Sequence, residues 1–285
     1  MLIVNKLRTW ICAVAVFVVF GAVALAYEPI ETKRPNIDVI RVAHRGASKF
    51  APENTVPAIQ KALEIGMNYI ELDVRYTTDG VPVLMHDDTV NRTTTGSGPI
   101  NQMSLAEVKK LRAVFGMSRD ASSDVEVPTL EEALIAMGPG VGAYIDQKET
   151  PQPILLELLK KYDKYPHLTV IVGGGQFTAD FAKLDPLAPA MPGIGSVEDI
   201  QPTLEKFPNA RAFNTSAAII TNELVDAAHA RGIMVFTNTL GWDDRDTAMK
   251  KAIFAGVDAI QTDHPDVLVS TVKKFKAKAE SMNKP

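Results

Sequence analysis

The sequence predicts an α/β fold: one slightly irregular (β/α)8 barrel preceded by an N-terminal signal segment. Three observations carry this. Amphipathic helical stretches alternate with short apolar strands, several of them joined by a glycine. The alternation runs for about 250 residues, the length of one eightfold barrel. No Pro/Gly/Ser linker divides it. Alternating helix and strand imply parallel pairing with helices outside, because a parallel crossover needs a connection of helix length. The alternative, an open doubly wound sheet, lacks a Gly-rich fingerprint at the first strand–helix turn.

The first 26 of the 285 residues read as an export signal. Lys6 and Arg8 form a basic start, Trp10 to Ala26 carries no charge, and Ala24-Leu25-Ala26 fits a small-residue cleavage site. An uncleaved anchor is the alternative, since 17 apolar residues touch the lower limit for spanning a bilayer. Membrane contact would then run through this segment alone and the protein would be membrane-anchored, whereas the cleaved signal predicts a periplasmic or secreted protein. The single cysteine, Cys12, falls inside the segment, so residues 27–285 have to fold without disulfides. Loss of Lys6 and Arg8 takes the formal net charge from −4 to −6. A mildly acidic chain without a basic tract argues against nucleic acid as a partner, and no motif implies a protein partner.

Along the barrel, Thr55–Ile65 reads as a helix with Ala58, Ile59, Ala62 and Leu63 on one face and Gly66 as its stop. Asn222 as cap of a helix running to Arg231 with Gly232 as its stop, and Lys250 to Ala255 with Gly256, repeat the pattern. Capping boxes Ser104/Glu107 and Thr129/Glu132 start two more helices. The first lies in a loop excursion expected over Asn91–Val127. Nine stretches read as strands: Val39–Ala43, Asn68–Val74, Val81–His86, Val141–Gln147, Leu168–Val172, Leu187–Ile194, Arg211–Asn214, Ile233–Asn238 and Val257–Thr262. A barrel needs eight, so one lies outside the ring or is no strand. Asp79-Gly80 signals a two-residue hairpin between the second and third.

Polar residues gather where strands end, the face of a barrel that holds active sites. Glu71 and Asp73 stand two apart on a strand, so their side chains share a face. Two carboxylates held together in apolar surroundings repel and are poorly solvated, and a hard dication, Mg²⁺ or Ca²⁺, is the simplest remedy. Asp146 offers a third oxygen ligand. With a two-residue hairpin, Asp73 lies across from His86, at a Cβ separation of about 5 Å. His44 ends the first strand. Imidazoles suit both proton abstraction and proton donation near neutrality, while Arg45 and Lys148 offer cations for a phosphate.

The chain resembles the glycerophosphodiester phosphodiesterase family through an ordered series of motifs between about residues 40 and 265. These are His44-Arg45-Gly46, Ala51-Pro52-Glu53-Asn54-Thr55, Glu71-Leu72-Asp73, Asp79-Gly80-Val81-Pro82-Val83-Leu84-Met85-His86-Asp87, Pro128-Thr129-Leu130-Glu131-Glu132 and Thr262-Asp263-His264-Pro265. The resemblance implies a TIM-type barrel with one divalent cation, Ca²⁺ or Mg²⁺, held by Glu71, Asp73 and Asp146. It implies His44 and His86 as general acid and base, Arg45 and Lys148 as phosphate-binding cations, and Glu53 as a carboxylate near the metal. The expected substrate is a small glycerophosphodiester. Three departures stand out: Asp146 where the family has glutamate, Phe236-Thr237-Asn238-Thr239 where it has Trp-Thr-Val-Asn, and Gly173-Gly174-Gly175 before Phe177, where a serine is usual. The glycines read as a bend rather than a phosphate loop. A lysophospholipid-cleaving or phospholipase D-like enzyme would need an apolar ridge at the mouth, for which Val114, Phe115 and Met117 are candidates. A periplasmic binding protein for a phosphorylated solute would have no use for the two histidines.

Overall fold

The strands of the computed structural model assemble in one direction around a ring. Residues 15–19, 22–26, 28–115, 124–165, 169–173, 175–241 and 244–282 are described. From residue 40 onward the strands are, in chain order, β1 (Ile40–Ala43), β2 (Tyr69–Tyr76), β3 (Pro82–Leu84), β4 (Gly142–Gln147), β5 (Thr169–Gly173), β6 (Ala212–Ser216), β7 (Met234–Asn238) and β8 (Ala259–Thr262), of which all but β3 belong to the ring. The order in the sheet is β5-β4-β2-β1-β8-β7-β6, all parallel, with β3 added antiparallel to β2. Between β5 and β6 the ring is closed by an extended segment around residues 189–194. It makes isolated parallel bridges from Ala190 to Ile171 and Ala210 and from Gly193 to Asn214. Pro189 and Pro192 lie in this stretch and have no N–H to give, so its pairing is intermittent.

Helices α1 (Val56–Ile65), α3 (Leu130–Met137), α4 (Pro153–Lys161), α5 (Gly175–Leu184), α6 (Ile200–Lys206), α7 (Asn222–His229), α8 (Asp246–Ala255) and α9 (Pro265–Met282) pack outside the ring, while α2 (Leu105–Val108) belongs to the excursion after β3. Of the nine stretches read as strands, seven are strands of the ring, Leu187–Ile194 closes it through isolated bridges without forming a strand, and Val81–His86 lies outside it. Both capping boxes form. Gly66 and Gly256 close α1 and α8 with left-handed backbone, at φ 104° and 84°. Helix α7 departs from expectation: Thr221 rather than Asn222 is its cap, its hydroxyl accepting from the Leu224 N–H.

The hairpin register also differs. Val74, Arg75 and Tyr76 face Leu84, Val83 and Pro82, and the Met85 N–H donates to the Asp73 carbonyl at 3.0 Å. Asp73 therefore lies across from Met85, not His86. The turn holds three residues, with Gly80 at φ 78° and its N–H donating to the Thr77 carbonyl. This is the three-residue loop in which glycine takes the left-handed position.

The barrel interior is filled at its N-terminal end by Val42, Tyr69, Tyr144, Val170, Met191, Ala212, Phe236 and Ala259, all buried. Gly142 makes room for the Tyr69 ring, since a Cβ there would fall 2.1 Å from it. Burial pushes the Tyr69 and Tyr76 hydroxyls up to about 12. Their unfolded values lie near 10, so above that pH the unfolded chain sheds protons that the folded chain keeps. Stability should be unaffected below about pH 10 and fall between about pH 10 and 12. Urea midpoints measured across that window should drop for the wild type and drop less for Tyr69→Phe.

A larger apolar layer lies between ring and helices, with Ile70, Leu72, Leu134, Ile145, Phe213 and Leu268 among its buried members. The segment before β1 is latched beneath the barrel, where Thr32 Oγ1 meets His229 Nδ1 at 2.7 Å and His229 Nε2 meets Asp258 Oδ2 at 2.8 Å. The export-signal reading falls mostly on residues outside those described. Within it, Ala15–Val19 and Ala22–Ala26 pair with each other alone. No helix among the described residues is long and apolar enough to cross a membrane.

Candidate active site

The parallel register of β2 and β4 builds a carboxylate cluster at the C-terminal end of the ring. Glu71 pairs with Tyr144 and Asp73 with Asp146. Side chains alternate along a strand, so Glu71, Asp73 and Asp146 share the interior face above the Tyr69–Tyr144 plug. Each offers an oxygen lying within 4.8 Å of the others. Glu71 and Asp73 are buried, at 1% and 0% exposure.

Two cations face these three carboxylates. Lys148, two residues beyond Asp146, places Nζ 2.6 Å from Asp146 Oδ2 and 3.0 Å from Asp73 Oδ1. Arg45 places Nε 3.2 Å from Asp73 Oδ2 and donates its backbone N–H to Glu71 Oε2 at 2.7 Å. Burial pushes the Glu71 carboxyl well above the carboxylate range, and repulsion from Asp73 and Asp146 adds to it. Burial acts on Asp73 as well, but Lys148, Arg45 and Asn54 outweigh it and hold its carboxyl low. Asp146 is raised by burial despite Lys148. Glu71 is thus the carboxylate with the least compensation. A dication would supply what it lacks, and an all-oxygen donor set suits a hard ion. The residues fit such a group.

His44 continues the interior face of β1 beyond Val42. Its N–H donates to the Thr262 carbonyl, which carries the β1–β8 register onward and sets His44 beside Asp263. His44 Nδ1 meets Asp263 Oδ1 at 2.7 Å, and Nε2 lies 3.9 Å from Glu71 Oε2. Asp263 is itself braced, its N–H donating to Asp244 Oδ2 at 2.5 Å. The turn after His44 is tight: Arg45 has φ 52° and Gly46 φ 77°. A Cβ on Gly46 would sit 2.8 Å from the Ala58 carbonyl carbon of α1. A non-glycine residue held at positive φ costs roughly 1–3 kcal/mol, strain of the kind that collects where a backbone N–H must be aimed.

His86 follows β3 to the same rim, one residue beyond Met85, whose N–H donates to the Asp73 carbonyl. His86 Nδ1 meets Asp87 Oδ1 at 2.8 Å. The His86 carbonyl accepts from Arg75 Nε and Nη2 at 3.1 and 3.0 Å. Glu53 pairs with Arg45 at 2.9 Å and not with the carboxylate cluster. The three carboxylates, both cations and His44 thus converge on one rim, with His86 following β3 to the same rim and Glu53 tied in through Arg45.

Several contributors are absent from the sequence-based set. Asn54, at φ 56°, donates from Nδ2 to Asp73 Oδ2 at 2.7 Å and accepts the Asp73 N–H. Asp263, Asp87 and Arg92 hold the histidines and Glu53. The adjacency of His86 and Asp87 was a signal in the sequence. The Asp263 contact was not, since 219 residues separate it from His44. Asn238 donates to the Thr215 carbonyl at 3.3 Å. In the glycine stretch, β5 ends at Gly173 and α5 starts at Gly175, while residue 174 is outside the described residues. Val114 is buried, Phe115 is 42% exposed, and Met117 lies outside the described residues.

The glycerophosphoryl diester phosphodiesterase family model matches residues 44–267. A glycerophosphodiester phosphodiesterase of Caldanaerobacter subterraneus is 32% identical over 246 residues, covering 82% of this chain and 97% of that protein. One from Bacillus subtilis is 28% identical over 258 residues, covering 83% and 87%. Among solved structures, glycerophosphodiester phosphodiesterase from Agrobacterium tumefaciens superposes with a TM-score of 0.73 at 28% identity, covering 81% of this chain and 99% of that one. An Oleispira antarctica phosphodiesterase, solved with its product sn-glycerol-3-phosphate, gives 0.70 at 26% identity, covering 82% and 96%. The match spans every residue of the carboxylate–histidine cluster, and on that ground the chain belongs to the glycerophosphoryl diester phosphodiesterase family of TIM-barrel enzymes.

Proposed function

We propose that this enzyme hydrolyses small glycerophosphodiesters to glycerol phosphate and an alcohol, using one divalent cation, Mg²⁺ or Ca²⁺, and the histidines His44 and His86. The observation that carries the reading is the cluster of Glu71, Asp73 and Asp146 oxygens within 4.8 Å, with His44 Nε2 3.9 Å from Glu71. Glu71, Asp73 and Asp146 would hold the ion. When bound, it supplies positive charge that neutralises the phosphate and the charge developing on its oxygens.

The chain's own groups account for the rest. Arg45 and Lys148 bind the anionic phosphate, the first through a planar fork and the second as a point charge. Each histidine has Nδ1 turned to a carboxylate, which leaves Nε2 to exchange a proton with substrate. One imidazole takes the proton of the attacking oxygen, from water or the glycerol 2-hydroxyl. The other delivers a proton to the leaving alkoxide as the P–O bond breaks. If water attacks, this step gives glycerol phosphate directly; if the 2-hydroxyl attacks, it gives a cyclic phosphodiester, which a water then opens with the two imidazoles in exchanged roles. Glu53 orients Arg45. Lys6, Arg8 and the Ala24-Leu25-Ala26 site support export to the periplasm or beyond it.

A panel of glycerophosphocholine, glycerophosphoethanolamine and lysophosphatidylcholine, assayed in EDTA and then with Mg²⁺ or Ca²⁺ restored, tests this. Turnover of the two short diesters should vanish with chelator and return with one of the ions. Turnover unchanged by EDTA would remove the ion from the reading, and a preference for the acylated substrate would move it to lipid.

A further inference from the structure

Arg92 lies on the excursion after β3, five residues beyond Asp87, and its guanidinium grips two carboxylates at once. Nε donates to Asp87 Oδ2 at 2.8 Å and Nη2 to Asp87 Oδ1 at 2.9 Å. Nη2 also donates to Glu53 Oε1 at 2.8 Å, and Nη1 to Glu53 Oε2 at 2.7 Å. Two edges of one planar fork thus bind one carboxylate each, a geometry that lysine cannot copy.

Both carboxylates have second partners in the active site. Asp87 Oδ1 meets His86 Nδ1 at 2.8 Å, and Glu53 Oε1 accepts from Arg45 Nη1 at 2.9 Å. Arg92, with help from His86, holds the Asp87 carboxyl far below its ordinary range, and Arg92 and Arg45 together keep Glu53 low against burial. The plainer reading is a surface ion pair, since the Arg92 side chain is 47% exposed and isolated exposed pairs contribute little. Two facts oppose it. Glu53 and Asp87 are only 18% and 27% exposed, and both are held bidentately. His86 also follows a strand outside the ring, and β2 reaches it at the backbone, through Arg75 on the His86 carbonyl, so the imidazole itself is held by Asp87.

We infer that Arg92 is a positioning residue that ties His86 and Arg45 into one geometry, acting through Asp87 on one side and Glu53 on the other. Without it the charge of Glu53 falls on Arg45 alone, and Asp87 is free to turn away from His86 toward water. The cost then appears in kcat, through misaimed proton transfer, more than in substrate capture. The inference rests on the acid–base reading of His86.

The test is kcat and KM on glycerophosphocholine, with the ion that restores turnover, for wild type, Arg92→Met, Arg92→Lys, His86→Ala and the Arg92→Met/His86→Ala double variant. Thermal melting establishes that each is folded. Arg92→Met should lower kcat about 10- to 100-fold with KM changed less than about 3-fold. Arg92→Lys keeps the charge and loses the fork, so it should recover little of that loss. Added to His86→Ala, Arg92→Met should cost less than about 3-fold more, because residues acting as a unit are not additive. Wild-type kcat in Arg92→Met, full recovery by Arg92→Lys, an effect on KM alone, or an undiminished loss in the His86→Ala background would each overturn the inference. If Arg92→Met does not fold, Arg92→Lys decides, and unaltered kcat there is the overturning result. An inactive His86→Ala beside a fully active Arg92→Met removes this inference alone, whereas a fully active His86→Ala removes the acid–base reading and this inference with it.

Discussion

Alanine at His44 is expected to lower kcat on glycerophosphocholine by about 10²–10⁴-fold, the range that a positioned acid or base contributes. In free energy this is about 3–5 kcal/mol of transition-state stabilisation. The fold should barely notice. His44 is tied to the protein by its backbone and by Asp263, whose side chain is 38% exposed, so losing the ring costs on the order of 1 kcal/mol in urea unfolding. His44 also stands between Asp263 and Glu71, and alanine removes the imidazole that touches the first and lies 3.9 Å from the second. The loss should therefore exceed that of Asp263→Asn, which keeps the imidazole and only loosens its aim. A His44→Ala variant with near-wild-type turnover would take the proton-transfer role away from this residue.

Glutamine at Glu71 should separate activity from stability. The side chain is buried and its carboxyl is pushed well above the normal range by burial and by its two acidic neighbours, so as an anion it is costly to the fold unless a cation is bound. The amide keeps the volume and can still accept the Arg45 N–H but carries no charge. In EDTA the Glu71→Gln protein should melt no lower than wild type. With Mg²⁺ or Ca²⁺ at about 100 times its dissociation constant, wild type should gain about 2.7 kcal/mol through binding, and the variant much less. Turnover in the variant should fall by about 10³-fold or more, as expected when several kcal/mol of charge stabilisation are removed. Equal melting shifts in the two proteins on adding the ion would place it elsewhere.

These expectations show how much of the site could be read before any coordinates. A spacing of two on a strand is a statement about direction, so Glu71 with Asp73, and Asp146 with Lys148, were bound to share faces once β2 and β4 were recognised. That β2 and β4 would be neighbours, with Asp73 level with Asp146, was not legible, because register across a parallel pair is set by packing of the whole ring. The same limit hid Asp263 and Arg92, whose partners lie on distant segments. The hairpin failed for a local reason: Asp79-Gly80 serves a two- or a three-residue turn equally well, and a shift of one residue moved His86 from the place opposite Asp73 to a neighbouring one. His86 still reaches the rim because it follows closely on the end of β3. Cap choice at Thr221 and Asn222 was likewise undetermined, since both residue types suit the position.

The intermittent closure between β5 and β6 has a consequence for how the molecule comes apart. The staves bearing the carboxylates, the lysine and His44 are β4, β2, β1 and β8, which are contiguous and each laddered to the next, whereas two prolines interrupt the segment across the ring from them. Local opening starts where backbone hydrogen bonds are fewest. Amide protons of residues 188–194 should therefore exchange with deuterium early, through excursions that leave the reactive half assembled, and those of β2 should wait for global unfolding. Heat or mild denaturant would then unzip the wall opposite the chemistry first.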